Sequence, residues 1–273
     1  MRISFVLLIA LFSFINLSAQ SSVWFPSGLN IQPFTANMLE PKAGFSYILG
    51  RSELRLDIGS SADIYHLKKD NTVLSFGADL FTYTRLRGER EFHFPVETID
   101  YLFGVNGGYK ISDAENEYGF RFRLSHISAH FVDGHYDYDI NGWRNGRTPR
   151  VYSREFIEIF PFFKSGSFRT YTGLTYLFHT SPKVFGKGIY QLGFDYFFTG
   201  ISDSFSPFAA LDLKLQKQNK FTGSSIACAG IKFGRYDAKG LSVLLSYYSG
   251  KSIHGEYFDL NEEYFTIGLN VDL

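Results

Sequence analysis

The chain is short of the features that mark several common protein classes. It has one cysteine in 273 residues, Cys228, which excludes an intrachain disulfide. The Ile226-Ala227-Cys228-Ala229 setting reads as small core packing rather than as a reactive thiol. No charge of either sign is in excess: 27 basic residues face 27 acidic ones. A nucleic-acid partner, which needs a basic face, is therefore not expected. The 8 prolines are scattered, and no low-complexity linker divides the chain, so it reads as one domain. After residue 20 no stretch approaches ~18 consecutive apolar residues, so no transmembrane helix is expected.

What the chain does have begins at its N-terminus. Arg2 supplies a positive charge, Phe5 to Phe14 is an apolar run, and the small residues Ser18 and Ala19 follow. That is the pattern of a cleaved secretory signal, with the cut expected after Ala19. No cysteine stands directly after the cut, so lipid modification there is not expected. Aromatics make up 18% of the chain, with 30 Phe and 18 Tyr, and strands and membrane interfaces are where such residues gather. Two classes remain: a soluble exported β-protein and an outer-membrane β-barrel.

Period-two alternation favours the barrel. Leu54, Leu56 and Ile58 alternate with Glu53, Arg55 and Asp57; Tyr118, Phe120, Phe122 and Leu124 alternate with Gly119, Arg121 and Arg123. Tyr190 to Phe198 and Leu211 to Gln216 repeat the pattern. Each such run is a strand with one apolar and one polar face. The expected strands are 42–50, 52–67, 72–86, 97–111, 117–131, 150–164, 167–180, 187–200, 204–217, 221–236, 239–250 and 261–273. Many exceed the roughly ten residues that a tilted strand needs to cross a bilayer. The connections alternate between tight (68–71, 112–116, 164–167, 200–204, 237–240) and longer (87–96, 132–149, 181–186, 251–260), as in outer-membrane barrels. The links near Gly50-Arg51 and Lys217–Lys220 break that rhythm. The expected organisation is signal 1–19, a periplasmic segment 20–41, and an all-β, antiparallel transmembrane barrel of about 12 strands over 42–273. The last strand alternates through Phe265, Ile267, Leu269, Val271 and Leu273. It resembles the terminal strand recognised by the barrel-assembly machinery, although the final residue is Leu rather than an aromatic.

In such a barrel the apolar face meets lipid and the polar face lines the lumen. The lumen set is Glu53, Arg55, Asp57, Asp79, Asp100, Arg121, Arg123, Arg154, Glu158, Asp195, Asp212, Lys214 and Lys232. Its near balance of acids and bases predicts pairing across a narrow space, because unpaired buried charge is costly. A closed or narrow lumen follows, where a selective pore would carry a ring of one sign.

The most suggestive cluster is Ser125-His126-Ile127-Ser128-Ala129-His130, with Asp133 after it. His126, Ser128 and His130 continue the register of Phe120, Phe122 and Leu124, so they should face outward near the outer end of their strand. On the next strand, Glu155 shares the face of Ile157 and Ile159 at similar height. A serine, an imidazole and a carboxylate would then meet on the lipid-facing surface, as nucleophile, base and orienting acid. The bland alternative is a set of rim residues that hydrogen-bond lipopolysaccharide head groups or loop backbone. Ligand binding at the rim by His130, Asp133 and Arg154 is a further option. His126, His130 and Asp133 could hold a cation, but no residue is in place to orient them, and neither a metal nor a cofactor is expected.

The His126-x-Ser128 step on a barrel strand resembles the outer-membrane phospholipase A and lipid A deacylase families. That resemblance implies His126 as base, Ser128 as nucleophile and Glu155 as orienting acid. The phospholipase pattern continues with Asn-Gly where this chain has Ala129-His130. Over a longer span, Pro26-Ser27-Gly28, Met38-Leu39-Glu40-Pro41, Ser128-Ala129-His130 with Asp133, and Tyr152-Ser153-Arg154-Glu155 resemble domain-of-unknown-function 1207, a family of exported bacterial proteins, from about Phe25 to Phe198. It implies an outer-membrane location and no reaction. Three functions stay open: a closed barrel with a structural or binding role, a lipid hydrolase, and a small-solute channel. Outer-membrane lipids, lipopolysaccharide and the assembly machinery are the expected partners.

Overall fold

The computed structural model describes residues 20–272 and contains a closed antiparallel barrel of twelve strands. In chain order the strands are β1 (Gln20–Trp24), β2 (Ala43–Ile48), β3 (Glu53–Lys69), β4 (Thr72–Arg87), β5 (Val96–Asp113), β6 (Asn116–Phe131), β7 (Tyr136–Asp137), β8 (Gly142–Trp143), β9 (Tyr152–Ser165), β10 (Phe168–Ser181), β11 (Phe185–Phe197), β12 (Phe205–Gln218), β13 (Lys220–Phe233), β14 (Gly240–Lys251) and β15 (Asn261–Asp272). The wall is β2 to β6 and β9 to β15, closed where β15 pairs with β2. β7 and β8 form a small hairpin inside the 132–151 loop. The expected signal segment and Leu273 lie outside the described residues.

The twelve expected strands agree with the wall to within a few residues, because most of them alternate over ten or more positions. The short strand β2 ends at Ile48, and β12 passes to β13 through Asn219 alone, so both short links are real. At the short-turn end the chain reverses with left-handed backbone at Asp70 (φ 50°) and Gly166 (φ 55°), as tight antiparallel hairpins require.

The outward face is an apolar band. Ile58, Leu80, Leu174, Leu192, Leu245 and Ile267 are all exposed on it. Aromatics gather towards both of its ends. Tyr109–Phe120, Phe168–Tyr196 and Phe205–Phe233 pair near the short turns, and Tyr247–Phe265 pairs towards the long loops. Two aromatic girdles around an apolar band are what a bilayer-spanning barrel presents to lipid.

The segment 20–41, expected as a periplasmic segment ahead of the barrel, packs against and into it. β1 adds to the protruding end of β3, and the chain then turns into the lumen. The Asn30 amide N–H donates to Asp63, Thr35 donates to Asp195, and Arg169 donates to the carbonyls of Gln32 and Pro33. Phe34 stacks on Tyr171 with ring centroids 4.0 Å apart, and the guanidinium groups of Arg121 and Arg169 lie over its ring. Glu40 is fully buried between Arg121 and Arg123. The segment is therefore a plug: its single acid and its apolar side chains supply partners that the wall lacks.

The lumen is less polar than alternation suggested. Phe81, Tyr83, Leu102, Ile127, Phe156 and Leu177 point inward and form a buried cluster against Leu39, Phe185, Ile253 and Phe258. The 252–260 loop dips into the long-loop mouth to meet them. His254 and the Gly255 amide both donate to Asp100, at 2.9 and 2.7 Å. Arg147 and Arg150 of the 132–151 loop donate to Asp259, which clasps the two loops together.

Candidate functional site on the outward face

The lumen charges predicted from sequence all lie on the inner side, but only some pair with one another. Arg123 is ion-paired to Asp79 at 2.8 Å, to Glu158 at 3.0 Å and to Glu40 at 3.2 Å. Arg55 pairs with Asp57 at 2.7 Å. The rest find partners that were not foreseen. Arg121 meets Glu40, Asp195 meets Arg169, Asp100 meets His254, Glu53 meets Arg85, and Lys232 meets Asp272. Asp212 accepts from Tyr171 and Gln191 instead of from a cation. Lys214 lines small cavities between the plug and the wall. A cavity of about 150 Å³ also remains beside the plug, lined in part by Lys42, Arg55, Phe208, Cys228 and Tyr264.

The outward cluster forms because β6 and β9 are in antiparallel register. His126 is the direct partner of Glu155, and Ser128 of Ser153. His126 Nδ1 donates to Glu155 Oε1 at 2.7 Å, which leaves Nε2 free to face elsewhere. The Ser153 hydroxyl donates to the same oxygen at 3.3 Å. Ser128 is the next outward residue of β6 after His126, and both are half-buried. On the other side of β6, Phe103 and Tyr101 are the register partners of His126 and Ser128. The rings of Phe103 and His126 are 5.0 Å apart. The cluster thus sits within one short stretch of the β6 end at Phe131, beside exposed aromatics.

The other candidates separate from it. His130 is exposed beyond Ser128, beside the Tyr101 ring. Asp133 sits in an exposed loop turn and accepts from the Gly134 amide. Arg154 is not a rim residue of this cluster: it points inward and lies over the rings of Tyr152 and Phe185, because neighbouring positions of a strand face opposite sides. Among the described residues no three His, Cys, Asp or Glu side chains form a group able to hold a metal ion.

One member was missed from sequence. His179 of β10 donates through Nδ1 to Glu155 Oε2, so Glu155 is held from both neighbouring strands. Strict alternation from Leu177 would have turned His179 into the lumen.

A closed twelve-stranded barrel with an apolar outer band, aromatic girdles and a filled lumen defines an outer-membrane β-barrel protein. The chain belongs to the family described as protein of unknown function (DUF1207), which matches residues 99–273. The match takes in His126, Ser128, Glu155 and His179. It leaves the 26–28 and 38–41 motifs outside and runs past Phe198 to the C-terminus, which shifts the span inferred from the motifs. No curated protein sequence matches the chain significantly. Among solved structures, outer membrane phospholipase A from Escherichia coli superposes with a TM-score of 0.52 at 16% identity, covering 88% of this chain and 93% of that one. The outer membrane phospholipase dimer with bound calcium from Salmonella typhi gives 0.53 at 14% identity, covering 89% and 94%. At these identities the likeness is one of fold.

Proposed function

We propose that this barrel is a lipid acyl hydrolase that works on its lipid-facing surface, with Ser128 as nucleophile, His126 as base and Glu155 as orienting acid. The observation that carries the reading is the 2.7 Å contact of His126 Nδ1 with Glu155, one outward position from a serine. That contact fixes the proton on Nδ1 and leaves Nε2 to accept the serine proton. The depth fits as well. Acyl ester bonds lie at the boundary between hydrocarbon and head groups, and exposed aromatics mark that boundary on a barrel.

In this reading Ser128 Oγ attacks the ester carbonyl carbon while His126 Nε2 takes its proton. The carbon–oxygen bond to the lipid alcohol breaks, and His126 returns the proton to that leaving oxygen. Water, deprotonated by His126, then cleaves the acyl-serine and releases a fatty acid. Outer-membrane lipids or lipopolysaccharide would supply the ester, and the assembly machinery would insert the barrel.

A second reading, a closed barrel with a structural or binding role, draws on the lumen. The plug and the inward loop support a sealed scaffold over a small-solute channel, and a sealed scaffold is compatible with surface hydrolysis. The two readings part on one assay. Full-length protein in detergent is mixed with phosphatidylethanolamine or lipopolysaccharide, and fatty-acid release is measured for wild type and Ser128→Ala. Release that disappears in the variant supports the hydrolase. A folded wild-type barrel that releases none leaves the structural role.

A further inference from the structure

We propose that His179 is a positioning residue: a β-bulge in β10 turns it to the outward face, where it holds one oxygen of Glu155 and aims the other at His126. The inference rests on the hydrolase reading and deepens it.

The bulge is visible in the register. Leu177 of β10 pairs with Phe156 of β9, and the next pair is His179 with Glu155, so Phe178 is an extra residue. Leu177 faces the lumen, and period-two alternation would place His179 there too. With the extra residue inserted, Phe178 and His179 are both exposed on the outer face. Thr180 then pairs with the inward Arg154, so the inner register resumes one residue later. The insertion therefore re-aims one imidazole, a known use of bulges beside functional sites.

The re-aimed imidazole meets the one carboxylate that needs holding. The Glu155 side chain is still about a quarter exposed, and its rotatable bonds would let the carboxylate swing unless it is held. Glu155 receives His126 and Ser153 on Oε1 and His179 on Oε2. With both oxygens engaged from β6 and β10, the carboxylate is fixed across the strand. Other titratable groups exposed on this face, among them His130, Tyr101, Tyr176, Lys187 and Tyr190, make no hydrogen bond to Glu155. His179 is itself well exposed and contributes little packing, so the fold does not depend on its side chain.

The test uses full-length protein in detergent with phosphatidylethanolamine as the probe, with folding checked by heat-modifiable gel migration. His179→Ala should lower kcat roughly 10- to 100-fold with KM nearly unchanged, as expected when a misplaced group spoils alignment rather than binding. His179→Asn, which keeps a donor near the Nδ1 position, should restore most of the rate. ¹⁵N-histidine spectra give a readout that needs no turnover. His126 should be a single Nδ1–H tautomer in wild type and in His179→Asn, and a mixture in His179→Ala. A His179→Ala variant with wild-type kcat and an unchanged His126 tautomer overturns the proposal. If wild type itself shows no hydrolysis, the spectra decide alone: a tautomer mixture in His179→Ala supports positioning while the hydrolase reading falls, and an unchanged tautomer rejects it.

Discussion

Glu40 and Arg121 face each other inside the lumen although 81 residues separate them, with Arg121 Nη1 donating to Glu40 Oε2 at 2.8 Å. Arg123 adds a second guanidinium to the same carboxylate. Glu40→Ala should leave both guanidinium groups without their shared acid. Breaking a buried ion pair from one side costs about 3–5 kcal/mol. Urea titration followed by heat-modifiable gel migration should show the variant unfolding at markedly lower denaturant. A midpoint equal to wild type would mean that the plug is not bound by this contact.

The same plug predicts an electrical result. Wild-type protein in planar bilayers should give little steady conductance, because the 30–40 segment fills one part of the lumen and the 252–260 loop closes the mouth. Glu40→Ala should raise it. Large, stable, ohmic steps from wild type would restore the channel reading.

A third outcome concerns the inward loop. A Cβ added at Gly255 would lie 2.3 Å from Tyr152 Cδ1 and 2.6 Å from Ala129 Cβ. Gly255→Leu should therefore expel the loop from the barrel mouth at a cost of roughly 1–3 kcal/mol. Limited proteolysis should cut within 252–260 in the variant and spare wild type; equal resistance would place the loop elsewhere.

The loops also carry a pH dependence. Burial holds the His135 imidazole below its usual range, where its ring stacks on Phe131 at 3.8 Å. A histidine kept neutral in the folded state loses stability as pH falls, because the opened loop takes the proton more readily. Burial alone would raise Asp259, but hydrogen bonds from Arg147 and Arg150 bring it to about 2. Its stabilising contribution is full above the ordinary carboxylate range and is lost progressively as pH falls from there through about 2. Hydrogen exchange in 132–151 should therefore loosen below about pH 6.5 through His135, while the Asp259 clasp persists. Protection factors in this loop, corrected for the intrinsic pH dependence of amide exchange, that stay constant from about pH 7 to 5 would contradict this.

The barrel was legible because its wall alternates: His126, Ser128 and Glu155 inherit their outward direction from Phe122, Leu124 and Ile157. The plug was not, since Met38-Leu39-Glu40-Pro41 has no period and its partners Arg121 and Arg123 are distant in the chain. Alternation also named the lumen charges without naming their partners, so Arg169 and Arg85 escaped notice. His179 was hidden for the opposite reason: one inserted residue, Phe178, breaks the period that made the other three readable.

The most direct test of the hydrolase account is covalent labelling of the nucleophile. Folded wild-type protein in detergent is treated with an alkyl fluorophosphonate, and the modified residue is located by peptide mass spectrometry. The account predicts one adduct, on Ser128, that is lost in His126→Ala and strongly slowed in Glu155→Gln. No adduct on Ser128 in folded wild type, or an adduct that forms equally well without His126, would contradict it.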